Sequence, residues 1–106
     1  MDNFVEFRIR NLGARAASTC HEIPGSEIEG GDVIIRCPPN CGDSINELVV
    51  WIWGRLKHKR RVLKSLQADG ATLQLTCRAN RGQVVLSPNA AEFLHLTDTT
   101  LVVSGA

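Results

Sequence analysis

From Val5 to Arg10 the chain alternates, with Val5, Phe7 and Ile9 apolar and Glu6, Arg8 and Arg10 charged. An extended chain points successive side chains to opposite sides, so this segment predicts a strand with one buried face. The β-branched run Val33-Ile34-Ile35-Arg36-Cys37, led in by Asp32, predicts a second strand. Pro38-Pro39 closes it, because neither proline has an N–H to give to a ladder. Residues 11–31 read as an irregular connection. Ala14-Arg15-Ala16-Ala17 favours a short helix, but Ser18, Thr19, Pro24, Gly25, Gly30 and Gly31 argue against regular structure.

Ser44-Ile45-Asn46-Glu47 has the spacing of a capping box, in which a hydroxyl and a carboxylate satisfy the first amides of a helix. Behind it Ile45, Leu48, Val49, Ile52, Leu56, Leu63 and Leu66 recur at helical spacing. Lys59 and Arg60 fall where that stripe should continue, so either their stems snorkel or the helix breaks between residues 57 and 60. The pattern predicts a helix from 44 to about 57 and a second piece to 68, stopped by Asp69-Gly70. Thr72 to Arg78 alternates again, with Leu73, Leu75 and Cys77 inward. Asn80-Arg81-Gly82 is turn chemistry, which makes Val84-Val85-Leu86 the expected partner strand of a hairpin. Ser87-Pro88-Asn89 opens a short helix with Asn89 and Glu92 as the expected cap pair. After a turn at Thr97-Asp98, Thr99 to Ser104 reads as a last strand. This order predicts an α+β two-layer sandwich, with helices on one face of a largely antiparallel sheet.

The 106 residues suit one domain spanning 1–106. A hydrophobic fraction of 43% and a charged fraction of 22% exclude a disordered chain, a collagen-like repeat and a coiled-coil rod. Met1 to Glu6 carries two acids and no apolar run of the kind a secretory signal has. No stretch approaches the roughly 18 apolar residues of a membrane span. A cytoplasmic address follows as the expectation, with Cys20, Cys37, Cys41 and Cys77 as thiols.

From Asp32 onward a strand is followed by a Leu- and Trp-rich helix and the strand Leu73-Gln74-Leu75-Thr76-Cys77. The segment Val85-Leu86-Ser87-Pro88-Asn89-Ala90-Ala91-Glu92-Phe93-Leu94 and the closing Thr100-Leu101-Val102-Val103 complete the layout. It resembles a bacterial family known as domain of unknown function 4279. The N-terminal third departs from that family, where a helix carrying a Leu-Gly pair is echoed only by Leu12-Gly13. The resemblance implies a ferredoxin-like fold without an established activity, and it assigns no catalytic residue.

The charge distribution is uneven although the net charge is only +1. Arg55, Lys57, Lys59, Arg60, Arg61 and Lys64 give +6 with no acid between Glu47 and Asp69, leaving 6 minus 11, or −5, for the rest. On a continuous helix Trp53, Lys57, Arg60, Arg61 and Lys64 share one flank. That flank is the candidate partner surface, and it could grip the phosphates of a nucleic acid with Trp53 as a stacking plane. The alternative is a solvated face partnered within the chain by Glu22, Glu27, Glu29 and Asp32. Trp51 and Trp53 point about 200° apart on a helix, so one of them is expected at the surface or in an interface.

Cys20, His21, Cys37 and Cys41 include the donor types of a zinc or thiol site. The three-residue gap from Cys37 to Cys41 and the adjacency of Cys20 and His21 make the spacing poor, so no metal and no cofactor is assigned. The histidines, His21, His58 and His95, have no nucleophile or orienting carboxylate placed beside them by spacing. Gly30-Gly31-Asp32 precedes a strand rather than opening a helix, so it is a turn and not a phosphate loop. Together these features predict a non-enzymatic protein-binding or regulatory module, whose partner is another protein or a second copy of itself. Nucleic-acid binding through residues 55–64 is the alternative, and the cysteine site a second one.

Overall fold

The computed structural model describes residues 3–38, 44–79 and 83–104, and in it the first alternating segment forms β1 (Phe4–Arg10), the central strand of a five-stranded sheet. β3 (Asp32–Arg36) and β4 (Thr72–Arg78) flank it, both antiparallel. β2 (Glu27–Glu29) lies antiparallel outside β3, and β5 (Thr100–Ser104) lies parallel outside β4. The order is therefore β2-β3-β1-β4-β5. The architecture is α+β on a mostly antiparallel sheet. Its parallel edge pair sets the five-strand order apart from a four-stranded ferredoxin-like sheet.

Register explains which residues meet. Phe7 stands opposite Ile35 on one side and Leu75 on the other, and Ile9 opposite Val33 and Leu73. Paired residues share a face, so these side chains form one apolar layer. The helices α1 (Ala16–Glu22), α2 (Ile45–Leu56), α3 (Arg60–Ala68) and α4 (Pro88–Leu96) close over that layer. Leu48, Val49, Ile52, Leu56, Leu63, Leu66 and Phe93 are all buried against it. The stripe read from spacing is thus the stripe that packs.

The helix does break where the basic residues interrupt the stripe, in a 3-10 turn over Lys57–Lys59. Each 3-10 residue turns about 120° instead of about 100°, so three of them shift the side-chain directions of α3 by roughly 60° about the helix axis relative to those of α2. Lys59 and Arg60 thereby avoid the core while Leu63 and Leu66 enter it. Ser44 caps α2 by accepting the Glu47 N–H at 3.1 Å. α3 ends in a Schellman motif: the Gly70 N–H donates to Gln67 O and the Ala71 N–H to Leu66 O, both at 3.0 Å. Gly70 sits at φ +101°, where a side chain would be strained.

Three local expectations are corrected. Val84-Val85-Leu86 is not a strand: residues 83–87 have no regular structure, because β1 and β5 already occupy both edges of β4. The turn at Asn80-Arg81-Gly82 lies outside the described residues. Residues 11–31 are more regular than their glycines suggest, with a 3-10 turn at Gly13–Arg15, then α1 and then β2. α4 is capped two residues earlier than read, by Ser87, whose hydroxyl accepts the Ala90 N–H at 3.4 Å. The last strand forms as expected, over Thr100–Ser104, and pairs parallel with β4 because α4 carries the chain back before β5 begins.

Candidate functional site

The face of the sheet away from the helices carries an ion network. Arg8 reaches Asp32 at 2.8 Å, Glu6 at 3.0 Å and Glu29 at 3.2 Å, and Arg36 reaches Glu29 at 2.7 Å and Glu6 at 2.9 Å. Arg10 stands 3.9 Å from Asp32. Ile34, opposite Arg8 and Glu27 on this face, is only 1% exposed, so the charged side chains roof it with their stems. Hydrogen bonds from Arg36 and then Arg8 hold the Glu29 carboxyl below its usual range. Asp32, ahead of Glu6 and Glu29, raises the Arg8 guanidinium against the opposing effect of its own burial.

This network sorts the cations. Arg8, Arg10 and Arg36 are paired there, and Arg15 pairs with Asp69. Arg55 lies 4.9 Å over the Trp51 ring and Arg78 5.1 Å over Phe4, both in cation–π range. Among the described residues, Lys57, Lys59, Arg60, Arg61 and Lys64 have neither an ion pair nor a ring partner. Of the acids offered as intramolecular partners of the basic segment, Glu29 and Asp32 serve the sheet arginines instead.

Arg60, Arg61 and Lys64 line a cleft of about 500 Å³ together with Gln67, Thr97 and Asp98. Two helix ends build it. The Gln67 side-chain amide donates to Thr97 O at 3.0 Å, tying the end of α3 to the end of α4. There the Thr99 N–H donates to Leu94 O at 3.0 Å, with Asp98 at φ +52°. The cleft can hold an anionic group by charge and by the forked guanidinium donors. Gln67, Thr97 and Asp98 carried no signal in the sequence, since their meeting depends on the α3–α4 contact. Lys57 lies on the 3-10 turn, outside the cleft lining.

Trp53 is not the free stacking plane expected for it. Its ring stacks on Phe93, centroids 4.9 Å apart and planes 19° apart, and Phe93 in turn meets Phe7 at 5.9 Å. The 3-10 turn puts it out of phase with Arg60, Arg61 and Lys64, and it is not among the residues that line the cleft with them. Trp51 is half-buried beneath Arg55. The expectation that one tryptophan stands free gives way to two half-buried rings, each with a partner.

Cys20, Cys37 and Cys77 are thiols rather than disulfides. The Cys37 thiol donates to Leu48 O at 3.3 Å and the Cys20 thiol to Ser26 O at 3.5 Å. Burial pushes the Cys77 thiol up to about 11. Cys41 lies outside the described residues. Among the described residues, no three His, Cys, Asp or Glu side chains gather as a metal site would require. His21, His58 and His95 are exposed. No helix among the described residues is long and apolar enough to cross a membrane.

Comparison with protein-family models, with curated proteins and with solved structures finds no match to this chain.

Proposed function

We propose that this chain is a small non-enzymatic binding module that docks an acidic partner protein through Lys57, Arg60, Arg61 and Lys64. The observation that carries this reading is the separation of charge: every other described lysine or arginine has a carboxylate or ring partner, and these, with Lys59, have none. Exposed like charges repel one another, and an external anion relieves that repulsion. Nucleic acid is the weaker reading, because the net charge is only +1 and Phe93 already occupies one face of the Trp53 ring. The thiols of Cys20, Cys37 and Cys77 suit a reducing, cytoplasmic setting. The family named on sequence pattern is retained as a proposal that rests on that pattern alone, and a ferredoxin-like core is retained beside it: β1-α1-β2-β3-α2/α3-β4 follows the split βαββαβ order, to which α4 and β5 are added.

The test passes nuclease-treated lysate over immobilised wild type and over the Arg60→Glu/Arg61→Glu variant, then reconstitutes whatever purified protein differs. The expected result is an acidic protein held only by wild type, with affinity weakened about tenfold or more by the variant and by raised salt. Retention of oligonucleotide alone, abolished by nuclease, would move the assignment to nucleic acid. Equal retention by both proteins would remove the basic face from the function.

A further inference from the structure

The two edges of the sheet differ in kind. β2 is three residues long and carries Glu27 and Glu29, both exposed, the short charged form by which natural sheets prevent edge pairing. β5 is five residues, Thr100-Leu101-Val102-Val103-Ser104, with no charge and no proline. The helical layer stops short of it. Leu101 and Val103 share a face with the buried Leu75 and Cys77, yet they are 37% and 51% exposed. Val102, on the other face with Thr76, is 39% exposed.

We infer that β5 is the pairing edge of a homodimer, joined antiparallel to β5 of a second copy about a two-fold axis through Val102. In that register Thr100 meets Ser104 of the other copy and Leu101 meets Val103, so hydroxyl faces hydroxyl and apolar faces apolar. Val102 meets itself. No charge is buried, and each face of one sheet continues as the same face of the other. Pairing β2 with itself would instead set glutamates near glutamates, which is destabilising. The occupant is a second copy because this edge complements itself at every position, as an isologous interface must. Five residues span only about 17 Å, so the contact lies below the size of a permanent interface and the dimer is reversible.

Light scattering and sedimentation velocity of the full chain across roughly 10 µM to 1 mM test this, a range set by the affinity expected of so small an interface. Wild type should rise with concentration from the monomer mass toward twice that value. Val102→Lys, which puts two like charges opposite each other, should stay at the monomer mass, and so should Val102→Glu. An equimolar mixture of the two variants should rise again, which shows that both variants are folded and that position 102 is at the axis. A wild type that remains monomeric throughout overturns the proposal and leaves the edge to a strand of another protein. A Val102→Lys protein that still doubles its mass overturns it as well.

Discussion

Phe93 shows how one side chain joins layers that the sequence keeps far apart. It is fully buried, stacks on Trp53 of α2 and touches Phe7 at the centre of the sheet. Replacing Phe93 with Ala should cost about 3–5 kcal/mol, the usual range for a buried Phe that leaves a cavity. Urea unfolding checks the loss, and the tryptophan emission of the folded variant should shift to longer wavelength as Trp53 loses its cover. The same ring explains why the candidate site was only partly legible. Arg60, Arg61 and Lys64 stand out because a run of cations without acids needs no tertiary information to notice. Trp53 was grouped with them by helical spacing, and only the 3-10 turn and the α4 contact separate it from them.

At the scale of elements, the helix starts are held by hydroxyls. Ser44 and Ser87 each accept an amide from three residues on, and the Ser87 N–H itself donates to the Asn46 side chain at 2.7 Å, which ties the start of α4 to the start of α2. Ser44→Ala and Ser87→Ala should each lower stability by about 1 kcal/mol, measured as a shift in denaturation midpoint with unchanged slope. Replacing both should be close to additive unless the Asn46 link couples them, which a double-mutant cycle reads directly. Elements with a local signature were legible: the alternation in β1 and β4, the Ser44 cap, the break at Lys57 and the stop at Gly70. What was not legible depends on partners distant in sequence. Val84-Val85-Leu86 has strand composition, but no free edge of β4 was left to receive it. β2 has only Ile28 between two glutamates, so the ladder with β3 and the Arg8–Arg36 network define it, not its own hydrophobicity.

Across the whole molecule, Glu6, Glu29 and Asp32 lie with the sheet arginines, and the unpaired cations lie on α3 and the 3-10 turn before it. Glu29 has its carboxyl depressed in the folded state, so it adds stability above the ordinary carboxylate range, and that stability is lost as pH falls through its folded value. Urea midpoints of wild type and Glu29→Gln should therefore differ near neutral pH and converge as pH falls through the depressed folded value, with the neutral-pH difference reduced by salt because Glu29 is exposed. The sheet order has a consequence of another kind. β1 pairs with β3 from Glu6 to Ile9 and with β4 along its whole length, Phe4 against Arg78 through Arg10 against Thr72. The strand made earliest in synthesis is thus the middle of the finished sheet. Half of the sheet, β2-β3-β1, is complete once Arg36 is available, while the far side of β1 stays open until Arg78 has been added. The nascent chain therefore spends the interval with its future centre exposed as a temporary edge. Closing so long a loop costs more chain entropy than the nearer β1–β3 pairing, so the β1–β4 ladder is expected to form after it.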